Sequence, residues 1–405
     1  MPEKNANRDA GEKRRAYAGP AIFSFGFRPF FFAAALFAGL AVPLWLAAMA
    51  HATPLGPGGD GAAWHAHEMI FGYTGSVMAG FLLTAIPNWT GRPPVMGWPL
   101  AALFALWLAS RAAMSWPSPG MLGRGVEALF LLVLVAAVWQ EIIAGRNQRN
   151  VPVALLLTTF ALANLLWHAE AMGAPLAGVG QRLALLVLVL LMALIGGRII
   201  PSFTSNWMKR QRLVPLPAPF GRWDQAVLAL TALALISWLA APDRVGTGWL
   251  LLWAGAAHIG RLARWQGWQT LGEPLVAILH IAYFWLAVAM ILLGSAILAP
   301  GVFAGASALH ALTAGAIGLL TLAVMTRASR GHAGRPLTAD FLTVTIYALI
   351  FLGALLRLLL PFTPVSYALG ASIAGLFWSA GMLLFVVGYA PMLLACRSDG
   401  TGPKA

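Results

Sequence analysis

The side chains of this chain that are best suited to bind a metal are its eight histidines. They stand within or beside long apolar runs, where an ionisable group is costly and by default suggests a function. Neutral imidazole is a common ligand for haem iron and for copper, because it brings no charge into an apolar environment. The eight positions are His51, His65, His67, His168, His258, His280, His310 and His332.

Two of these histidines, His65 and His67, open the second apolar run. Residues two apart on a regular helix point about 200° apart, so the two rings must serve different neighbours. A stripe at intervals of three and four begins at His65, and small residues on such a stripe admit either close helix packing or a flat macrocycle. The stripe comprises His65, Glu68, Gly72, Gly75 and Ala79.

Glu68 follows the His65 stripe, and we therefore expect it not to reach His67. An unpaired imidazole in an apolar environment would cost a few kcal/mol. His67 must then meet either another hydrogen-bond partner or a second metal. If the run begins non-helically near Trp64, both histidines can instead converge on one ion.

The remaining histidines suggest sites at two depths. His65 and His310 come from helices that enter from the same side, so we expect them to ligate one haem. His258 and His280 lie deeper, towards the inner side, and His332 falls in an inner loop. We interpret His51 and His168 as interfacial or hydrogen-bonded residues, and Arg198 as a partner for a lipid headgroup or a haem propionate.

Several other kinds of site are excluded. The single cysteine, Cys396, rules out an intramolecular disulfide and a cysteine-based zinc or iron–sulfur site. No C-x-x-C-H motif is present for covalent haem attachment, so a haem would be bound non-covalently, as b-type. The chain also lacks the second histidine of H-E-x-x-H and any Walker A motif, which argues against a zincin and an ATP-driven pump.

The elements that must position these residues are membrane helices. Hydrophobic residues make up 60% of the 405 positions and charged residues only 10%, far from a soluble domain. About 20 apolar residues cross a bilayer, and the apolar runs predict an all-α, polytopic bundle of about twelve spans. The runs are 29–50, 65–87, 96–116, 123–143, 151–172, 180–202, 224–242, 247–264, 274–298, 302–327, 340–361 and 365–395.

The positive charges predict the orientation of this bundle. With a cytoplasmic N-terminus, 21 of the 26 lysines and arginines fall on the inner side, as the positive-inside rule requires. Both termini should then be cytoplasmic, and the net charge of +13 belongs to loops rather than to a nucleic-acid site. We expect a basic tail (1–28), one membrane domain (29–395) divided six plus six by a loop at 203–223, and a second tail (396–405).

The halves show no broad self-similarity. One short internal similarity is present: His65-Ala66 and His310-Ala311 are each followed, after an apolar stretch with glycines, by Gly-Arg-Pro at 91–93 and 334–336.

Six blocks, in order, resemble the NnrS family. They are W-H-A-H-E-M-I-F-G (64–72), G-F-L-L-T-A-I-P-N-W-T-G (80–91), G-R-I-I-P-S-F-T (197–204), L-H-I-A-Y (279–283), H-A-L-T (310–313) and G-H-A-G-R-P-L (331–337). Ala333 stands where the family more usually has Thr. The resemblance implies a bacterial inner-membrane protein that carries haem and copper and takes part in the response to nitric oxide during denitrification.

The matched histidines are His65, His67, His280, His310 and His332, with Glu68 and Arg198 also inside matched blocks. We take these residues and His258 as candidate metal ligands or cofactor partners. The chain resembles the catalytic subunit of haem-copper oxidases and nitric oxide reductases more weakly, since spans six and seven contain no histidine for the usual copper site.

The sequence hypothesis is therefore a haem- and copper-binding membrane protein that binds or turns over nitric oxide or its metal complexes, with an unidentified electron donor if it is an oxidoreductase. Two alternatives remain open at this stage: a twelve-span secondary transporter, and a non-catalytic protein that handles haem or copper.

Overall fold

The computed structural model describes residues 17–302 and 304–395, and in these residues it contains helices and no strands. Twelve long helices follow one another in this part of the chain. They are α1 (Phe27–Ala50), α2 (Gly61–Thr90), α3 (Trp98–Met114), α4 (Gly120–Ala144), α5 (Val151–Ala171), α6 (Val179–Arg210), α7 (Arg222–Ala240), α8 (Val245–Ala263), α9 (Pro274–Leu298), α10 (Gly305–His332), α11 (Phe341–Leu359) and α12 (Tyr367–Leu394).

Each apolar run of the sequence coincides with one of these helices, which confirms the all-α prediction. Ten of the described helices are long and apolar enough to cross a membrane. Helix α3 is shorter, and α8 is not among the ten. The number of crossings and the side on which the termini lie therefore stay predictions.

Three of the helices contain a π-helical segment, in which backbone bonds run from residue i to residue i+5. These segments are Glu68–Tyr73 in α2, Met192–Gly196 in α6 and Ala311–Ile317 in α10. In α2 the indole Nε1 of Trp107 donates a hydrogen bond of 3.0 Å to the carbonyl of Gly72. A side chain from a neighbouring helix thus bonds a backbone group of the widened turn.

Helix α6 extends further than expected. The sequence suggested an end near residue 202, whereas the helix continues through Pro201 to Arg210. Lys209 and Arg210 lie in its last turn, where positive side chains are favoured by the helix dipole. The connection to α7 is correspondingly shorter than the loop expected at 203–223.

The chain divides into two compact units. Unit one comprises residues 1–184, 325–337 and 382–405, and unit two comprises 185–324 and 338–381. The core of unit one includes the buried rings of Phe30, Phe31 and Phe130, whereas that of unit two includes Tyr283 and Met290. The expectation of a single membrane domain stays a prediction.

Candidate metal centre

The start of α2 is set by Asp60, whose carboxylate accepts hydrogen bonds from the backbone N–H groups of Ala62 and Ala63 at 3.0 and 3.1 Å. This side chain satisfies two of the donors that a helix start leaves unpaired. The regular α-helix that follows, Gly61–His67, ends where the π-segment begins. His67 and Glu68 therefore stand at the junction of two helix geometries.

The ring of His67 is buried and has a carboxylate on each side. Its Nδ1 donates to Glu68 Oε1 at 2.9 Å. Its Nε2 lies 3.8 Å from Glu127 Oε1 and accepts a bond of 3.4 Å from the Nδ2 of Asn164. The network thus assigns the proton to Nδ1 and leaves a lone pair on Nε2. A carboxylate that holds the other nitrogen in this way is typical of metal-binding histidines.

The contact between His67 and Glu68 contradicts the expectation that Glu68 could not reach this histidine. Adjacent residues on a helix are only about 100° apart, so a side chain of glutamate's length can bend back to its neighbour. The predicted divergence of His65 and His67 is confirmed. The His65 ring stacks on Trp45 of α1 at a centroid distance of 4.2 Å, whereas His67 contacts Trp167 and His168 of α5.

Glu127 of α4 and His168 of α5 complete the group around His67. His168 Nε2 donates to Glu127 Oε2 at 2.7 Å, and His168 Nδ1 lies 3.5 Å from the guanidinium of Arg124. One ligand atom from each of His67, Glu127 and His168 lies within 4.8 Å of the others. Among the described residues this is the group of histidine and acidic side chains that could hold a metal ion.

Arg111 of α3 connects the two carboxylates of this cluster. Its NH1 donates to Glu68 Oε2 at 2.7 Å and its NH2 donates to Glu127 Oε1 at 3.1 Å. All three side chains are at most 6% exposed. With the half-buried Arg124 beside His168, two guanidiniums balance the two carboxylates when the histidines are neutral, which limits the cost of burying these charges.

Asn164 supplies an independent indication of a ligand. Its Oδ1 is buried without a hydrogen-bond partner, on the amide whose Nδ2 contacts His67. Buried polar atoms are almost always paired, so such an oxygen calls for an explanation. Because this amide contacts His67, its oxygen would offer a cation held there a fourth donor.

Two members of this cluster lie outside the set of metal ligands predicted from the sequence. The interpretation of His168 as an interfacial or hydrogen-bonded residue gives it no metal role, and Glu127 is absent from the predicted set. The available signal was Glu127 itself, an acidic residue within the apolar run 123–143, since intramembrane carboxylates are rare and usually functional.

The glycine stripe of α2 packs against neighbouring helices. A Cβ at Gly72 would lie 2.4 Å from Arg111 NH1, and a Cβ at Gly75 would lie 3.6 Å from Leu131. The close-packing interpretation of this stripe is therefore the one that the geometry supports.

Unit two contains a second buried polar group, centred on Arg261, whose NH2 is buried without a hydrogen-bond partner. Arg261 donates from NH1 to the Tyr283 hydroxyl (2.8 Å), and from Nε to Asp224 (2.7 Å). Tyr283 then donates to His258 Nδ1 (2.8 Å), and His258 Nε2 donates to the Thr231 hydroxyl (2.9 Å). Both ring nitrogens of His258 are thus engaged, while its predicted role as a metal ligand stays untested.

The other predicted residues have varied surroundings. His280 Nε2 lies 2.8 Å from the Thr204 hydroxyl, and its Nδ1 is buried without a hydrogen-bond partner. His310 Nδ1 donates to the carbonyl of Ala306 at 2.7 Å. The His332 ring packs against Phe25 and Phe27 at 5.2 and 5.4 Å. Arg198 is half-buried on α6. Their predicted roles, including a haem shared by His65 and His310, stay predictions.

Comparison with known proteins gives one result for nearly the whole chain. No curated protein matches the sequence significantly. The family model described as NnrS protein matches residues 21–397, a range that includes every helix described above. This chain therefore belongs to the NnrS family.

Proposed function

We propose that this chain is a haem- and copper-binding membrane protein of the nitric oxide response, which binds or turns over nitric oxide or a metal complex derived from it. The observation that carries the metal site is the meeting of His67, Glu127 and His168 from three helices within 4.8 Å. Membership of the NnrS family supports the link to nitric oxide. Copper and haem come from the family resemblance.

The donor set fits a first-row transition metal. Imidazole suits copper, iron and zinc, and two histidines with one carboxylate also form the ligand set of non-haem ferrous sites. Bound there, a cuprous or ferrous ion would supply a position at which nitric oxide can coordinate. Identification of the metal in the purified protein distinguishes between copper and iron.

The surrounding residues would prepare this site before a ligand arrives. Glu68 holds the proton of His67 on Nδ1 and so directs the Nε2 lone pair towards Glu127. Arg111 fixes the orientation of both carboxylates and balances one of their two charges. Phe71 and Trp167 pack on the His67 ring at 5.1 and 5.6 Å, which excludes water from that side.

The haem assignment uses the histidines named from the sequence. His65 and His310 are proposed as axial ligands. His310 donates its Nδ1 proton to a backbone carbonyl, which leaves Nε2 with the lone pair that iron requires. Arg198, His258, His280 and His332 are proposed as further cofactor partners.

The test is metal analysis and an optical spectrum of the protein purified in detergent, recorded before and after addition of nitric oxide. We expect copper or non-haem iron together with a Soret band that nitric oxide shifts. A colourless protein without either metal would overturn the proposal and favour a transporter. Bound cofactors without any turnover of nitric oxide would favour a cofactor-handling role.

A further inference from the structure

Two stretches of four consecutive helices, which we name module one (α1–α4) and module two (α9–α12), share several features. Their second helices have the same construction. Helix α2 begins with the α-segment Gly61–His67 and continues as π from Glu68, whereas α10 begins with Gly305–His310 and continues as π from Ala311. His67 and His310 each end the first segment and therefore occupy equivalent positions.

The sequence keeps the same register along both helices without a gap. When His67 is aligned with His310, Gly72 falls on Gly315, Gly75 on Gly318, and Gly-Arg-Pro at 91–93 on Gly-Arg-Pro at 334–336. The glycine of each tripeptide has a left-handed backbone, with φ of 70° at Gly91 and 73° at Gly334. The register relates His310 to His67 rather than to His65.

An indole bonds a backbone carbonyl of each π-segment, although from different helices. In module one Trp107 of α3 donates to the carbonyl of Gly72 at 3.0 Å, and in module two Trp378 of α12 donates to the carbonyl of Ala314 at 3.3 Å. The third helix of each module carries an arginine in its last turn, Arg111 in α3 and Arg357 in α11.

The modules differ in their acidic residues. Glu68 aligns with Ala311, and α12, which corresponds in order to the helix of Glu127, contains no acidic residue. Module two therefore keeps the histidine and the arginine but lacks both carboxylates. Among the described residues Arg357 forms no ion pair, although its side chain is only 8% exposed. Its described hydrogen bond goes from NH2 to the Tyr367 hydroxyl at 3.2 Å.

His310 and Arg357 offer complementary groups on neighbouring helices. The α-segment of α10 packs on α11, and Arg357 is near enough to act electrostatically on His310. Together they present an imidazole lone pair, which binds a metal, and a buried cation that lacks a carboxylate. A ligand that contains a metal centre and an acidic group in one molecule would match both.

We infer that Arg357 of module two pairs with a carboxylate of the haem whose iron His310 binds, and that the cluster of His67, Glu127 and His168 in module one holds the simple cation. This inference rests on the proposed function, since haem is part of that proposal. It adds the partner of the haem carboxylate and separates the haem from the cation held by His67, Glu127 and His168. Arg357 would act as a binding residue rather than as a ligand of the iron.

The test uses full-length protein produced in haem-deficient cells and titrated in detergent with two probes, haem and haem dimethyl ester, which lacks the acidic groups. We expect wild-type protein to bind haem about 10- to 100-fold more tightly than the ester, the range for a hydrogen-bonded charge pair. Arg357→Gln should bind both probes equally, with haem binding reduced to the level of the ester. Arg244→Gln, at an exposed arginine of unit two, is the matched control.

The possible failures are distinguishable. If wild-type protein binds neither probe, the haem part of the proposed function fails. If it binds both, and Arg357→Gln still prefers haem as strongly as wild type does, the inference about Arg357 is wrong. In that case the arginine only stabilises the carboxyl end of α11, and Arg357→Gln should lower the unfolding midpoint without changing the preference. Arg357→Lys, which keeps the charge, should retain a preference for haem.

Discussion

At the residue scale, the three proposed ligands of the metal can be removed one at a time. We expect His67→Ala, His168→Ala and Glu127→Gln each to weaken metal binding by about 100-fold or more, because loss of a ligand should exceed the 10- to 100-fold effect of an outer-shell change. Metal analysis gives the content and the Soret band reports the haem. His67→Ala should lower copper and keep the haem spectrum.

His51→Ala is the matched control for these variants, since His51 is exposed and outside the cluster. It should leave both metal content and spectrum unchanged. Loss of haem with retained copper in His67→Ala would show that the cofactors are assigned to the wrong histidines.

Glu68 tests the same centre through its support of a ligand. The carboxylate holds His67 Nδ1 and is not among the three ligand residues. Glu68→Gln should therefore weaken metal binding by about 10- to 100-fold, and less than Glu127→Gln does. Isothermal titration of both variants measures the order, and equal losses would place Glu68 among the ligands.

Much of this cluster could not be predicted from the sequence because its members come from three separate helices. The 200° rule correctly separated His65 from His67, since that rule depends only on helix geometry. The identity of the partner of His67 depends on which helices pack against α2. His168 gave no local sign of a role, because its contact with Glu127 is formed only in the folded chain.

At the element scale, two glycines of the α2 stripe differ in the space available for a side chain. A Cβ at Gly72 would lie 2.4 Å from Arg111 NH1, whereas a Cβ at Gly75 would meet only carbons at 3.6 and 3.7 Å. We expect Gly72→Ala to displace Arg111 and destabilise the fold by about 1–3 kcal/mol, with reduced metal content. Gly75→Ala should be neutral or slightly stabilising, because alanine is the better helix former.

Thermal unfolding in detergent and metal analysis of both variants measure this difference. Equal midpoints and equal metal contents would mean that Arg111 can move aside without affecting the centre.

The buried polar group of unit two leads to a prediction about α8 and α9. Tyr283→Phe removes the hydroxyl that accepts from Arg261 and donates to His258. It leaves a buried acceptor unpaired, which costs about 1–3 kcal/mol. The unfolding midpoint should fall while the metal content of the cluster in unit one stays unchanged.

His258→Ala decides between two roles for this histidine. If both ring nitrogens only form hydrogen bonds within the buried polar group, the variant is less stable but keeps its metals. A loss of copper or haem from folded His258→Ala protein would support the role as a metal ligand suggested by the sequence.

The existence of the helices was predictable, whereas their internal geometry was not. Apolar runs fix where a helix can lie in a membrane, and each of the twelve runs coincides with a helix of the structure. The π-segments depend on partners elsewhere in the chain, such as the Trp107 indole that bonds the Gly72 carbonyl. The short apolar sequences of these segments contain no signal for such partners.

At the scale of the whole molecule, one contact bears on the number of crossings. The guanidinium of Arg28, at the start of α1, donates to the carbonyl of Leu393, at the end of α12, at 3.2 Å. Both ends of the described chain therefore lie on the same side, which requires an even number of crossings. Ten and twelve both satisfy this condition.

Cysteine labelling in intact cells distinguishes twelve crossings from ten. With twelve, Val214 and Cys396 face the cytoplasm and Ser118 faces outward; if α3 and α8 did not cross, Val214 and Ser118 would change sides. Cys396, the single native cysteine, lies outside the described residues and serves as the internal reference, while Val214 and Ser118 are both exposed.

We introduce Val214→Cys and Ser118→Cys separately into a Cys396→Ala background and use a membrane-impermeant maleimide. The basic residues Lys209, Arg210 and Arg212 favour the cytoplasmic side for Val214, so we expect Ser118→Cys to react in intact spheroplasts and Val214→Cys, like native Cys396, only after permeabilisation. The reverse pattern for the two introduced cysteines, with Cys396 still protected, would establish ten crossings and show that the positive-inside count misplaced the central loops.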